Sequence, residues 1–317
     1  MSLQVTSTNG GKSVTINGGD LTNKGWDLSL SATPIRTDDF EWRLIFNTSK
    51  VYNEVATTSN QSVTYSEYLS GTLVKNGFAI NSFYSYRFGG LDRNGIPTFL
   101  GLEDNDGAGN VTITTQEEAF ASAMTYSGKR EADLTGGLTM GFRYRRLSLN
   151  TVFALSIGSK IRLNDLYQGN SFKLPYPGQN MGSDFVKRWR KPGDEEHTNI
   201  PGLNTVAGTH SNPWWTSGTN MTHRIANNIY EMYDNSDIRV VSGNYLRLSS
   251  LSFRYNVDER FCKKLGLKSA YINLTGTNLF TIAHKKLRGQ DPTQSGSSPN
   301  VNLSVRPTYS CNLSITF

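Results

Sequence analysis

The chain reads as an all-β protein whose antiparallel strands cross a membrane as a barrel, and three features of the sequence say so. The final segment Tyr309-Ser-Cys-Asn-Leu-Ser-Ile-Thr-Phe317 alternates apolar and polar residues without a break. Earlier segments repeat that alternation in hairpin pairs. The connections between them alternate between short and long. Period-two alternation places Tyr309, Cys311, Leu313, Ile315 and Phe317 on one face, toward lipid, and Ser310, Asn312, Ser314 and Thr316 on the other, toward a wet lumen.

The first hairpin has Trp26, Leu28 and Leu30 alternating with Asp27, Ser29 and Ser31, then a turn at Pro34–Asp39. It returns through Phe40, Trp42, Leu44 and Phe46, which alternate with Glu41, Arg43 and Asn47. In the second, Leu138, Met140, Phe142 and Tyr144 share a face, and after the tight turn Arg145-Arg146 come Leu147, Leu149, Thr151, Phe153, Leu155 and Ile157. Later, Leu251, Phe253, Tyr255 and Val257 alternate with Ser250, Ser252, Arg254 and Asn256, and a further strand runs from Ile272 to Ile282. Arg and Glu beside aromatic stripes are tolerated where the polar face meets water. Short links at Pro34–Asp39, Tyr144–Leu147 and Asp258–Ser269 alternate with long polar ones near 50–135, 159–244 and 283–302, the layout of periplasmic turns and extracellular loops. Phe83–Phe88 falls inside the first long link, where a further strand would need a second partner to keep parity; a large extracellular region with its own local structure is the favoured reading. A helix opened by the capping box Thr115-Gln-Glu-Glu118 and carrying Ala119, Phe120, Ala123 and Met124 belongs to the same region. Met221, Ile225, Ile229 and Met232 recur at helical spacing in the second long link and read as the buried side of a short helix. A C-terminal phenylalanine is typical of the closing strand of bacterial outer-membrane barrels, where it resembles the signal read by the insertion machinery; Phe317 is the candidate.

Composition narrows the rest. Of 317 residues only 36% are hydrophobic, and no stretch approaches the roughly 18 consecutive apolar residues of a membrane helix. Gly 30, Tyr 15, Phe 15 and Trp 5 suit a β protein with aromatic girdles and many turns. The net charge of +6 is scattered, with no basic stripe, so nucleic acid is not an expected partner. Cys262 and Cys311, read as lying in a turn and on a lipid face, make neither a disulfide nor a zinc signature. No secretion signal opens the chain, so Met1-Ser-Leu3 reads as an artificial or internal start and the chain as the C-terminal part of something longer.

Catalytic chemistry finds no support. His197, His210, His223 and His284 sit in polar loops without carboxylate or Cys partners. Asp104-Asn-Asp-Gly107 opens like a calcium loop, but its twelfth position is Thr115 and not glutamate. Gly136-Gly137 precedes no phosphate-cradling helix. No enzyme activity, cofactor or metal is expected. Ligand or partner contact is expected instead at Tyr176, Trp189, Trp214 and Trp215 in the longest loop, where aromatic faces stack on sugar rings or meet a protein; packing of the loop on itself is the rival reading.

Several motifs carry a resemblance. Asn244-Tyr-Leu-Arg-Leu-Ser-Ser-Leu-Ser-Phe-Arg-Tyr255, Lys263-Lys-Leu-Gly-Leu267, Leu274-Thr-Gly-Thr-Asn-Leu-Phe280 and Gly289-Gln-Asp-Pro292, followed by a strand ending in Phe, resemble the C-terminus of SusC/RagA-type TonB-dependent transporters of the Bacteroidota outer membrane. Upstream, Asn23-Lys-Gly-Trp-Asp27, Asp39-Phe-Glu-Trp42, Tyr126-Ser-Gly128, Gly136-Gly137 with Phe142-Arg-Tyr144, and Arg188-Trp189 with Lys191-Pro-Gly-Asp194 resemble that family in the same order. Lys129–Thr135 departs from it by lacking a proline. The resemblance implies a barrel of about 22 strands, plugged by an N-terminal domain, capped by a SusD-like surface lipoprotein and opened by TonB. Residues 1–317 would then be the C-terminal part of that barrel, roughly eight to ten strands at ~9–11 residues per crossing, with plug and N-terminal regions absent. The expected function is import of oligosaccharides or peptides across the outer membrane. The alternatives are a small self-contained pore or adhesin barrel and a soluble secreted carbohydrate-binding β protein.

Overall fold

A computed structural model describes residues 2–4, 13–15, 19–58, 65–100, 123–167, 181–203, 229–293 and 305–317. Its strands are β1 (Ser2–Gln4), β2 (Ser13–Thr15), β3 (Gly19–Arg36), β4 (Phe40–Thr58), β5 (Ser82–Tyr86), β6 (Phe88–Leu91), β7 (Pro97–Phe99), β8 (Met124–Lys129), β9 (Leu134–Tyr144), β10 (Leu147–Ile157), β11 (Lys160–Arg162), β12 (Val240–Ser242), β13 (Tyr245–Asn256), β14 (Ser269–Ala283) and β15 (Thr308–Thr316). The chain divides into two compact units: Gly25–Val51 with Arg130–Asn164 and Val241–Phe317, and the remainder.

The first unit is built on the seven-stranded sheet β15-β14-β13-β10-β9-β4-β3. Consecutive pairs from β4 to β15 are antiparallel. Its registers assemble the apolar residues into rows across the strands. Trp42, Phe142, Leu149, Phe253, Leu274 and Cys311 form one row. Phe40, Tyr144, Leu147, Tyr255, Ile272 and Leu313 form the next toward the short links. The intervening rows are polar: Glu41, Arg143, Ser148, Arg254, Asn273 and Asn312, then Arg43, Gly141, Asn150, Ser252, Thr275 and Ser310. One face is thus a continuous apolar band, and it is uncovered: Leu313 is 62% and Ile282 61% exposed. A soluble monomer does not leave an apolar surface of that extent in water, whereas a barrel turns it to lipid.

Two details differ from the sequence reading. The first turn is Thr37–Asp39, and Pro34 lies inside β3. Cys262 lies in a helix, Glu259–Lys264, capped by the Asp258 side chain accepting from the Arg260 N–H; it is buried and free, and Cys311 is exposed and free. Against the eight to ten crossings expected, the large sheet has seven strands among the described residues.

A register shift in β13 keeps the band continuous. Leu248 faces Phe153 and Ser250 faces Val152, so Ser249 is an extra residue without an opposite number. Leu246 and Leu248 have the opposite parity to Leu251, Phe253 and Tyr255, and the bulge at Ser249 brings all five to one face. On β14 the compensating irregularity lies at Asn278-Leu279, with Asn278 at φ 52; Asn tolerates that left-handed conformation.

The second unit has an aromatic core of its own. Tyr68, Tyr84, Tyr86, Phe99, Phe185, Tyr230 and Tyr233 are buried together. β5, buried along its whole length, pairs with β8 inside this unit and not with the large sheet. Residues Phe83–Phe88 are therefore local structure of a long link. Ala123 and Met124 join this core, with Met124 opening β8; the rest of the helix expected from Thr115 lies outside the described residues. Ile229 and Met232 are buried in the helix Ile229–Asp234, as their spacing suggested; Met221 and Ile225 lie outside the described residues.

Candidate functional site

The polar face of the large sheet is a hydrogen-bonded surface. Ser252 Oγ donates to Asn273 Oδ1 at 2.9 Å, and Asn273 Nδ2 donates to Thr275 Oγ1 at 3.0 Å. Toward the short links the face becomes basic. Arg143 Nη2 donates to Glu41 Oε2 at 3.2 Å, Arg36 approaches the same carboxylate at 3.7 Å, and the Arg254 guanidinium lies 3.7 Å from the Tyr271 ring centre. At the rim the turn Arg145-Arg146 is tied on both sides. Arg145 Nη2 donates to Asp39 Oδ2 at 3.1 Å, and Arg146 pairs with Asp258. The hydrogen bond from Arg145 holds the Asp39 carboxyl below the usual carboxylate range.

At the other end of the strands the link after β14 is anchored to the sheet. Gln290 Oε1 accepts from the Asn164 N–H at 3.1 Å, and its Nε2 donates to the Arg162 carbonyl at 2.8 Å. Asp291, fully buried, accepts from Arg247 Nη2 at 2.8 Å and from Thr293 N and Oγ1 at 2.9 and 2.8 Å. Arg247 is placed by β13, where it alternates with Leu246 and Leu248, and its Nε also donates to Thr281 Oγ1 at 3.0 Å. The motif Gly289-Gln-Asp-Pro292 is therefore an anchor. The arginine between two lipid-facing leucines is the sequence signal that the strand needed a carboxylate on its polar side.

In the second unit, Trp189 is half-buried and its indole Nε1 donates to Glu195 Oε2 at 2.9 Å. Its ring passes so close to two glycines that a Cβ on Gly95 would lie 2.3 Å, and one on Gly202 2.6 Å, from ring carbons. Its neighbours in the unit thus enclose much of the ring. Tyr176, Trp214 and Trp215 lie outside the described residues, as do His210, His223 and Asp104–Gly107. His197 and His284 are described and lie in loops or short helical turns. Among the described residues no group of three or more His, Cys, Asp and Glu is placed to hold a metal ion, and no helix is long and apolar enough to cross a membrane.

A polar residue that the sequence did not single out organises this unit. Asp234 is buried at the end of its helix; Oδ1 accepts from the Leu166 N–H and Oδ2 from the Tyr167 N–H, both at 2.9 Å. Arg239 Nε is 3.8 Å away. Burial pushes the Asp234 carboxyl up to about 7, against the pull of Arg239 and the two backbone donors.

No family model matches the chain. The TonB-dependent receptor P3 of Formosa agariphila is 26% identical over 286 residues, which cover 86% of this chain and 25% of the receptor. The TonB-dependent receptor SusC of Bacteroides thetaiotaomicron is 30% identical over 168 residues, 49% of this chain and 16% of SusC. In fold, the RagAB peptide importer in its open-open state matches 100% of this chain and 31% of its own at TM-score 0.68 and 21% identity. Its closed-closed state matches 98% of this chain at TM-score 0.66. The chain spans about a quarter of the length of P3. In sequence and fold together the chain resembles the SusC/RagA-type TonB-dependent transporters, and its large sheet is a section of a transmembrane β-barrel of their kind.

Proposed function

We propose that the chain forms part of an outer-membrane importer that takes up oligosaccharides or peptides together with a SusD-like surface lipoprotein. TonB drives it through a part of the protein beyond these residues. The carrying observation is the two-faced sheet, apolar toward lipid and polar toward a lumen, in a chain whose curated relatives are TonB-dependent receptors. The long connections lie outside the cell and the short turns in the periplasm, as the alternation of link lengths supports. Phe317 serves as the membrane-insertion signal. The protein's role is passage and not catalysis; the lumen offers amides, hydroxyls and guanidinium groups, which exchange hydrogen bonds with a polar cargo as it moves.

Tyr176, Trp214 and Trp215 are the aromatic contacts for cargo or lipoprotein, joined by the part of the Trp189 ring that Gly95 and Gly202 leave open, and the adjacent indoles of Trp214 and Trp215 are the sharpest test. Changing both to Ala in the full-length protein should weaken uptake or lipoprotein capture roughly tenfold, the scale of an aromatic hot spot. The amount of folded barrel should stay unchanged, because barrel stability resides in the closed ladder. Uptake of labelled cargo and co-purification of the lipoprotein measure this. Wild-type values for both would assign the pair to local packing and remove it from the site.

A further inference from the structure

The apolar face of the large sheet is not smooth. Around Gly276 a groove of about 460 Å³ opens in it, walled by Leu149 of β10, Leu251 and Phe253 of β13, Leu274 and Leu279 of β14, and Tyr309 of β15. At its floor Gly276 contributes no side chain, in a row where its neighbours are Leu251 and Tyr309, and Leu279 covers the backbone there. Its upper end is shaped by the irregularity at Asn278-Leu279. The Leu279 side chain lies over Gly276, so that a Cβ there would sit 2.7 Å from Leu279 Cδ2. Strands on both sides of Gly276 belong to this chain, so no strand beyond β15 is needed to complete the walls. Tyr309 is 76% and Leu274 47% exposed, so the groove is open along its length.

We propose that this groove is a binding site for one fatty acyl chain of a membrane phospholipid. The occupant follows from continuity: the groove is a depression within the apolar band that a barrel turns to lipid, with apolar rows above and below it. No charged side chain lines it, which excludes a headgroup or an ionic ligand. The two polar side chains at its border, Thr275 and Ser310, belong by strand parity to the opposite face. A volume of about 460 Å³ suits one acyl chain, so a two-chain lipid lends one chain and leaves the other in the bilayer. A glycolipid whose several chains are packed side by side fits it less well.

The test is native mass spectrometry of the full-length protein after a detergent wash that strips loosely held lipid. The wild type should retain a phospholipid. Gly276→Leu, which fills the floor, and Leu149→Trp, which fills the groove from the opposite wall, should each lower the retained fraction roughly tenfold or more. Ala270→Leu, which adds bulk to the same face beside Ile315 and away from the groove, should keep it. Heat-modifiable migration of each variant confirms a folded barrel, and Leu149→Trp carries the test should the close contact at Leu279 prevent Gly276→Leu from folding. Equal retention in the wild type and the filling variants, no retained phospholipid on the wild type, or retention of a multi-acyl glycolipid in its place would each overturn the proposal.

Discussion

Deleting Ser249 abolishes assembly of the barrel, whereas Ser249→Ala leaves it intact. Ser249 is the extra residue that brings Leu246 and Leu248 onto the same face as Leu251 and Phe253. Without it, Tyr245–Leu248 must rotate to the other parity, so that both leucines enter the lumen and Arg247 meets lipid. An arginine on the lipid face costs about 2–4 kcal/mol at the midplane and less near the interface. Arg247 also leaves Asp291, which is fully buried against it at 2.8 Å, and removal of one partner of such a pair costs about 3–5 kcal/mol. The sum is comparable with the whole stability of a typical domain, about 5–15 kcal/mol. Heat-modifiable migration of outer-membrane fractions reads the result. A deletion variant assembling at the wild-type level would show that the bulge does not hold the phase of β13.

Asp234→Ala unfolds the aromatic unit locally while the large sheet persists. The carboxyl group satisfies the N–H groups of Leu166 and Tyr167 and faces Arg239 in a dry site. Its loss leaves two buried donors unsatisfied, at about 1–3 kcal/mol each. The pH dependence has a definite sign. Burial raises the folded carboxyl above its unfolded value of 3.8 to about 7, so its contribution is full below the unfolded value and is lost as pH rises through about 7. The penalty of the substitution is therefore larger at pH 5 than at pH 8. Hydrogen exchange of 82–86 and 229–236 in the full-length protein measures it. Unchanged protection in the variant would contradict the role assigned to Asp234.

Strand phase was legible in the sequence because one face of each strand meets lipid, and a period of two then leaves little freedom. Leu138, Met140, Phe142 and Tyr144 do lie opposite Phe153, Thr151, Leu149 and Leu147. Link lengths carried the topology but left Phe83–Phe88 between a further crossing with a second partner and local structure, which the pairing of β5 with β8 decides. The bulge left a trace, two leucines out of phase with the strand that follows, but period-two alternation holds without a break only from Ser250 onward. Asp234 left none. Its partners are 67 and 68 residues away, and a lone acidic residue at a helix end looks the same whether solvated or buried. Trp189 is similar: its sequence shows an aromatic in a polar loop, and only the fold brings Gly95 and Gly202 against its ring. Arg247 stood between these cases, visible as an oddity in its strand but interpretable only once Asp291 lay beside it.

The most direct test of the transmembrane sheet is nitroxide accessibility along one hairpin. In the full-length protein, with Cys262 and Cys311 replaced, single cysteines at 148–153 of β10 and 250–254 of β13 carry the label in reconstituted membranes. The account predicts alternation: labels at Leu149, Phe153, Leu251 and Phe253 relax with oxygen dissolved in lipid, and those at Ser148, Asn150, Ser252 and Arg254 relax with a water-soluble nickel complex. Water accessibility on both faces, or the reverse alternation, would contradict it.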